Sequence, residues 1–242
     1  MQTIYKEQQL LSFITNEKLF SAVETIFKKT QNMVQSDKAF YRNSVDPFSA
    51  VFDASSSNIT LEQWVNQEKA RQRQKTLQNA IGEFHEEIIG SVAGWERLPV
   101  GRLIDVRNMS RKTIGEIKNK HNTTKGSDKK DLYDNLEFAL NTPEYKGFTG
   151  YYVEVIPKNG LTYNKIFTPS DNKVSLRRPE NENIRIIDGC SFYDFVTGDE
   201  HALERLYKVL PIVISDCLGV SKARDYSSEQ LFHELFAKAF IR

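Results

Sequence analysis

GRLIDVRNMSRKTIGEIKNK, residues Gly101–Lys120, is the stretch that decides the fold. Two short apolar runs, Leu103-Ile104 and Ile114 to Lys118, flank a polar turn at Asn108 to Lys112. This pattern predicts a β-hairpin. Paired strands bring Asp105 at the end of the first run next to Glu116 on the second. Side chains two apart on a strand point to one face, so Glu116 and Lys118 lie together. Ile114 shares their parity, whereas Ile117 faces the other side. Two carboxylates and an ammonium thus converge on one point.

Those residue types suit metal-assisted hydrolysis of a phosphodiester. Mg²⁺ takes hard oxygen ligands, commonly one or two carboxylates completed by water and substrate phosphate. It polarises the phosphoryl oxygen and acidifies a bound water. Lys118 beside it can orient that water or neutralise charge on the pentacovalent centre. The plain alternative is a solvated hairpin face with an ordinary ion pair. Spacing alone does not separate the two, because about one Glu-x-Lys is expected by chance in a chain of this length. Glu144-Tyr145-Lys146 has the same spacing but lies between Pro143 and Gly147, and reads as a loop without chemistry.

Outward from the hairpin, helical periodicity is clear. Residues 6–35 read as a helix, with Phe20, Val23, Phe27 and Val34 in phase. Thr60 and Gln63 form a capping box that opens a long helix to about Val92. Its second half is expected to bury Leu77, Ile81, Phe84 and Ile88. Ser55 to Asn58 reads as a loop. After the hairpin, a helix capped by Ser127 runs to about Leu140. Strands follow at Tyr151–Ile156, near Asn164–Phe167 and at Ile184–Ile187. Two helices, 200–218 and 228–241, close the chain, the second capped by Ser227 with Gln230. The fold class is therefore α/β to α+β, a central mixed sheet flanked by helices. One domain is expected over 1–242: an N-terminal helical part (1–58), the core (60–190) and the C-terminal helices (191–242).

Bulk composition bounds the rest. The chain has 242 residues, 39% hydrophobic and 27% charged, with net charge +1. These values support a real core and neither indicate nor exclude a nucleic-acid partner. No apolar run approaches the ~18 residues of a membrane span, and the N-terminus does not read as a signal peptide, so a cytoplasmic, membrane-free protein is expected. Cys190 and Cys217 are isolated and read as reduced thiols. The four histidines, His85, His121, His201 and His233, have no zinc-like arrangement. Trp64 and Trp95 read as core or helix-edge packing.

The long helix with Glu83-Phe84-His85-Glu86-Glu87, the strand ending in Asp105 and the Glu116-Ile117-Lys118 triplet together resemble the PD-(D/E)xK nuclease core. The run EIKNKHNTTKGSDKK, residues 116–130, looks like the type II restriction endonucleases that cut at GGNCC. So do DPFSAVF (46–52) and IDGCSFY (187–193) with Thr197-Gly198. The similarity spans roughly residues 40–220. One departure is visible: Ile104, not proline, precedes Asp105.

The resemblance implies a Mg²⁺-dependent endonuclease acting on double-stranded DNA and leaving 5′-phosphate and 3′-hydroxyl ends. Asp105, Glu116 and the backbone carbonyl of Ile117 would bind the metal, and Lys118 would position the attacking water; Glu83 would join the metal site or the groups just behind it, with a solvated helix acid as the plain alternative. Glu87, one turn beyond Glu83, reads more simply as a solvated helix acid. A prokaryotic, cytoplasmic homodimer is expected, since a palindromic site is read by a two-fold protein. A companion DNA methyltransferase is implied as well. Asn119, Lys120, His121, Asn122, Thr123 and Lys125, leaving the catalytic strand, suit phosphate and base-edge contacts. Arg177 and Arg178 sit on a polar excursion suited to reading guanine, whereas Arg71, Arg73 and Lys75 read as a solvated helix face. Two rivals stand beside this reading: a structure-specific repair or recombination nuclease on the same core, and a DNA-binding protein with a decayed site.

Overall fold

A computed structural model describes residues 8–31, 40–41, 43–124, 126–171 and 176–241. Its helices are α1 (Asn16–Gln31), α2 (Pro47–Ser56), α3 (Leu61–Gly90), α4 (Gly126–Leu140), α5 (Gly189–Thr197), α6 (Ala202–Leu218), α7 (Lys222–Asp225) and α8 (Gln230–Ala239). The strands are β1 (Glu96–Arg97), β2 (Val106–Asn108), β3 (Thr113–Lys120), β4 (Thr149–Ile156), β5 (Asn164–Ile166), β6 (Ser170–Asp171), β7 (Leu176–Arg177) and β8 (Ile184–Asp188). Six of them form one sheet in the order β1-β2-β3-β4-β8-β5, and β6 pairs with β7 separately. The β3, β4 and β8 strands run parallel, while β1, β2 and β5 pair antiparallel. This is the mixed sheet with flanking helices that the sequence predicts.

The chain divides into two compact units, one of residues 1–23 with 84–242 and one of residues 24–83. The first holds the sheet. Its central strands are buried on both faces, which is why β4 reads as TGYYVEVI with no polar alternation. One face is packed by α4: Ile114, Tyr152, Ile184 and Ile186 share a cluster with Leu132, Tyr133, Leu136 and Ala139. On the other face Tyr151 meets Phe192 and Phe195 of α5, and Trp95 joins both rings. Each such buried side chain contributes roughly 1.5–3 kcal/mol. The Asp188 side chain caps α5 by accepting from the Ser191 amide at 3.0 Å.

The second unit contains the later half of α1, α2 and the first part of α3. Asp46 caps α2, accepting from the amides of Phe48 (2.9 Å) and Ser49 (3.3 Å), with Pro47 at the first turn. The Thr60–Gln63 box forms as expected, with Gln63 N donating to Thr60 Oγ1 at 3.2 Å and Thr60 N to Gln63 Oε1 at 2.9 Å. A small core of Ala50, Ala54 and Trp64 joins the two helices, backed by Val45, Ile59 and Val65.

Several local expectations are corrected. Pro47–Ser56 forms a helix that runs through Ser55 and Ser56 rather than entering a loop there, because the Asp46 cap and Pro47 start it. The first helix begins at Asn16, since residues 8–15 hold a turn closed by a Leu11–Ile14 bridge. Val34 lies outside the described residues. Leu77 is exposed, and Ala80, Ile88 and Ile89 carry the buried stripe of α3 with Phe84. Ser227 does not cap α8: its hydroxyl donates to Arg224 O (2.9 Å), Glu229 takes the cap position, and Gln230 bonds Glu234 (2.6 Å).

Candidate active site

The hairpin forms as predicted, with Val106 opposite Gly115 and Asn108 opposite Thr113. Its first arm is short, so Asp105 precedes β2 instead of ending an earlier strand. The Asp105 amide donates to Gly115 O at 2.9 Å, which carries the pairing one residue further. Its carboxylate then accepts from the Ile117 amide at 2.7 Å. That bond fixes Asp105 against the middle of β3, between Glu116 and Lys118 of the second arm.

Glu116 and Lys118 share a face, and Lys118 Nζ donates to Glu116 Oε1 at 2.6 Å. The Glu116 side chain is 13% exposed. Burial, and then the neighbouring Asp105 carboxylate, push its carboxyl up to about 7, against the pull of Lys118. For Lys118 burial acts downward, but Glu116, Asp105 and Glu86 outweigh it and hold the ammonium above the usual lysine range. Two carboxylates facing each other in a half-buried site are short of positive charge, and Lys118 supplies only part of it. Among the described residues no group of three or more acidic, histidine or cysteine side chains is arranged to hold a metal. Asp105, Glu116 and a backbone carbonyl still match the sparse protein ligation that Mg²⁺ accepts, so the donor set fits the ion.

Glu86 is the residue that sequence reasoning missed. Its charge acts on Lys118, and it accepts from Arg97 at 2.8 Å. Glu87 also meets Arg97, at 3.2 Å. The signal lay in Arg97, whose two-residue strand is too short to announce itself by periodicity. Glu83 falls in the other compact unit, where its carboxylate pairs with Lys29.

A second network shares the Glu116/Lys118 face. In the parallel β3–β4 register Glu116 lies beside Tyr152 and Lys118 beside Glu154. Glu154 accepts from Lys129 (2.6 Å), from the Tyr152 hydroxyl (2.9 Å) and from the Tyr163 hydroxyl. The Thr124 hydroxyl lies 3.4 Å from that of Tyr152, so the loop after β3 is tied to this network.

The remaining predicted residues divide. His121 N continues the ladder to Ile156 O at 3.0 Å, and Thr123 N and Oγ1 both donate to Lys120 O. Asn119 Oδ1 and His121 Nδ1 are buried with no partner among the described residues. Asn122 and Thr123 are exposed, and Lys125 lies outside the described residues. Arg177 is exposed on β7. Arg178 is held on α4 by Asp134 (2.8 Å) and Glu137 (3.1 Å), with its guanidinium 5.2 Å from the Tyr133 ring centre. The decoy Glu144 lies in a 3-10 turn and bonds Arg107 at 2.5 Å.

A mixed sheet carrying an acidic pair and a lysine on a β-hairpin, packed by helices on both faces, defines a restriction-endonuclease-like α/β core. Comparison with known proteins narrows this class. Residues 11–219 match the profile of the Eco47II restriction endonuclease family, and the chain belongs to that family. It is 41% identical to the type II restriction enzyme Eco47II of Escherichia coli, over 87% of this chain and 90% of the relative. It is 34% identical to the type II restriction enzyme Sau96I of Staphylococcus aureus, over 95% of this chain and 89% of the relative. The chain is thus a site-specific deoxyribonuclease by family, and DNA is its substrate. Among the described residues no helix is long and apolar enough to cross a membrane.

Proposed function

We propose that this chain makes Mg²⁺-dependent double-strand cuts at a short palindromic DNA site, GGNCC or a variant of it, leaving 5′-phosphate and 3′-hydroxyl ends. The observation that carries the reading is the clamp at β3, where Asp105 is bonded to the Ile117 amide and Lys118 to Glu116, one residue to either side. Asp105, Glu116 and the Ile117 carbonyl are the groups that hold the ion. When bound, Mg²⁺ supplies Lewis acidity toward the phosphate and a water of lowered pKa. Lys118 orients the attacking water and offsets charge that develops on the phosphorus oxygens. Glu86 acts on Lys118 from α3, whereas Glu83 would have to give up Lys29 to join the site.

DNA contact is assigned to Asn119, Lys120, His121, Asn122, Thr123 and Lys125 after β3, and to Arg177 and Arg178. The unpartnered Asn119 Oδ1 and His121 Nδ1 support this. A buried polar atom without a partner costs about 1–3 kcal/mol until something satisfies it. A base edge or a bridging water does so. Arg178 reaches DNA only by leaving Asp134 and Glu137, so Arg177 is the better presented of the two. A two-fold homodimer acting beside a companion methyltransferase completes the reading.

The test is digestion of unmethylated phage DNA with Mg²⁺ and with EDTA, with sequencing of the ends. Discrete Mg²⁺-dependent fragments ending at GGNCC are expected. Lys118→Ala is expected to lower cleavage at least ~1,000-fold, the scale of a lost transition-state contact, with DNA affinity within a few-fold of wild type. A smear, or cutting only at junctions and flaps, would favour a structure-specific nuclease. Cleavage that survives Lys118→Ala would remove the catalytic assignment.

A further inference from the structure

Helix α2 presents an apolar stripe to solvent. Phe48 and Phe52 are each 76% exposed and Val51 is 55% exposed. Exposed Ser55 completes the spacing i, i+3, i+4, i+7 of one helix face. Exposure on this scale at three consecutive stripe positions of one helix marks an interaction surface rather than scattered surface hydrophobics. The opposite side of the same helix is already used, by Ala50 and Ala54 against Trp64.

We infer that this stripe is the surface through which two copies of the chain pair, α2 against α2 across a two-fold axis. This rests on the reading of a palindromic DNA target, which two-fold-related copies match. Three observations select a second copy as the occupant. The stripe is self-complementary: the helix spans Pro47–Ser56, its midpoint falls between Val51 and Phe52, and Phe48 and Ser55 lie equally far to either side. Antiparallel pairing about that midpoint sets the large Phe48 of one copy against the small Ser55 of the other, with Val51 and Phe52 at the axis. The stripe also carries no charge to repel its own image. Asp46 is spent on the helix cap, and Asp53 accepts from Trp64 Nε1 at 3.0 Å. Nor does the helix carry any lysine or arginine, so it offers DNA phosphates nothing. Finally, the area is that of a weak, reversible contact. Phe48, Val51 and Phe52 leave roughly 400 Å² of apolar surface per copy, given the size of aromatic side chains. Pairing then buries about 800 Å² in total, the scale of a weak dimer that a shared palindromic DNA site reinforces.

The experiment is sedimentation equilibrium on the full chain, wild type and Val51→Arg, with circular dichroism as the folding control. The wild type is expected to dimerise, and Val51→Arg, which sets two guanidinium groups beside the axis, to raise the dimer dissociation constant at least ~100-fold. Val51→Cys is the second variant: near the axis it should form a symmetric intermolecular disulfide on mild oxidation, whereas the wild type should not. A wild type that stays monomeric while still cutting GGNCC overturns the inference and leaves the proposed function standing. A wild-type dimer that Val51→Arg disrupts, without any cleavage, does the reverse. A dimer unaffected by Val51→Arg overturns the inference, and if that variant has lost DNA affinity the stripe is a DNA surface instead. Should Val51→Arg misfold, failure of Val51→Cys to cross-link overturns it alone.

Discussion

Replacing Glu116 by glutamine should stabilise the metal-free protein at pH 8 while abolishing cleavage. The Glu116 carboxyl is raised from 4.5 to about 7 in the folded chain. A raised folded-state pKa means that the folded protein binds more protons than the unfolded one between those values. Stability from this group is therefore full below pH 4.5 and is lost as pH rises through 7. A shift of that size corresponds to about 3 kcal/mol lost by pH 8. Glutamine keeps the shape and never ionises, so it escapes the loss. The pull of Lys118 on the ionised carboxylate already counts in that raised value, and glutamine keeps an oxygen to accept from Lys118 as a neutral carboxyl does. The net gain expected at pH 8 is therefore about 3 kcal/mol, or roughly 6–12 °C in Tm for a chain of this size. Urea unfolding in EDTA at pH 5 and pH 8 measures it. The informative quantity is the wild-type change between the two pH values minus that of Glu116→Gln, because other titrating groups cancel. That difference should come to about 2–3 kcal/mol, with the wild type losing more, because part of the loss is already present at pH 5. Millimolar Mg²⁺ should recover part of the loss in the wild type only, since the ion binds the ionised carboxylate. Equal pH dependence in the two proteins would refute the reasoning.

Further outcomes follow from the same structure. His85 is buried, donates to or accepts from Tyr193 Oη at 2.8 Å, and has its pKa drawn down from 6.5 to about 4 by burial. The unfolded chain then binds the extra proton first, so stability is full above pH 6.5 and falls toward pH 4 by about 3 kcal/mol; urea titrations should show that His85→Gln lacks this component. Thr60→Ala removes the acceptor of the Gln63 amide. It should cost about 1 kcal/mol by urea unfolding, with DNA cleavage unchanged. Gly189→Ala would set a Cβ 2.3 Å from Val155 O at the start of α5. Overpacking of this kind should cost about 2 kcal/mol or more in thermal unfolding, and a neutral result would show that β4 and α5 separate easily.

Much of the candidate hairpin was legible because alternation fixes which strand residues share a face. Glu116 and Lys118 had to lie together, and a polar turn between apolar runs had to bring Asp105 back to them. What escaped was set by tertiary contact. Leu77 fits a helical core stripe by phase, yet its neighbours leave it exposed, and the buried stripe is carried by Ala80, Phe84, Ile88 and Ile89. Glu86 was hidden between Glu83 and Glu87 because its role depends on Arg97 of β1. Ser227 and Gln230 have the spacing of a capping box, but the preceding turn spends the serine hydroxyl on Arg224 O. The α2 helix is masked in the sequence by serines that suggest a loop, although Asp46 and Pro47 are sufficient to start it.

The β3–β4 register sharpens the choice of metal ligand. Glu154 is 3% exposed, deeper than Glu116, and lies beside Lys118 on the same face. Burial alone would nominate it. Its oxygens, however, already receive Lys129, Tyr152 and Tyr163. A carboxylate with three donors has its charge answered by the protein, and drawing it toward a cation would strand a lysine and two hydroxyls in a buried site. Glu116 receives one donor and faces Asp105, the arrangement that leaves negative charge uncompensated. Of the two glutamates, the one the fold leaves unsatisfied is the one fitted to a divalent ion. Glu154 instead braces Lys129 and, through Tyr152, the loop that leaves β3. Glu154→Gln should therefore weaken cleavage through a higher KM with kcat held within a few-fold, whereas Glu116→Gln should abolish kcat. A Glu154→Gln enzyme as dead as Glu116→Gln, with its fold and DNA affinity intact, would mean that the metal lies toward β4, at the level of Lys118.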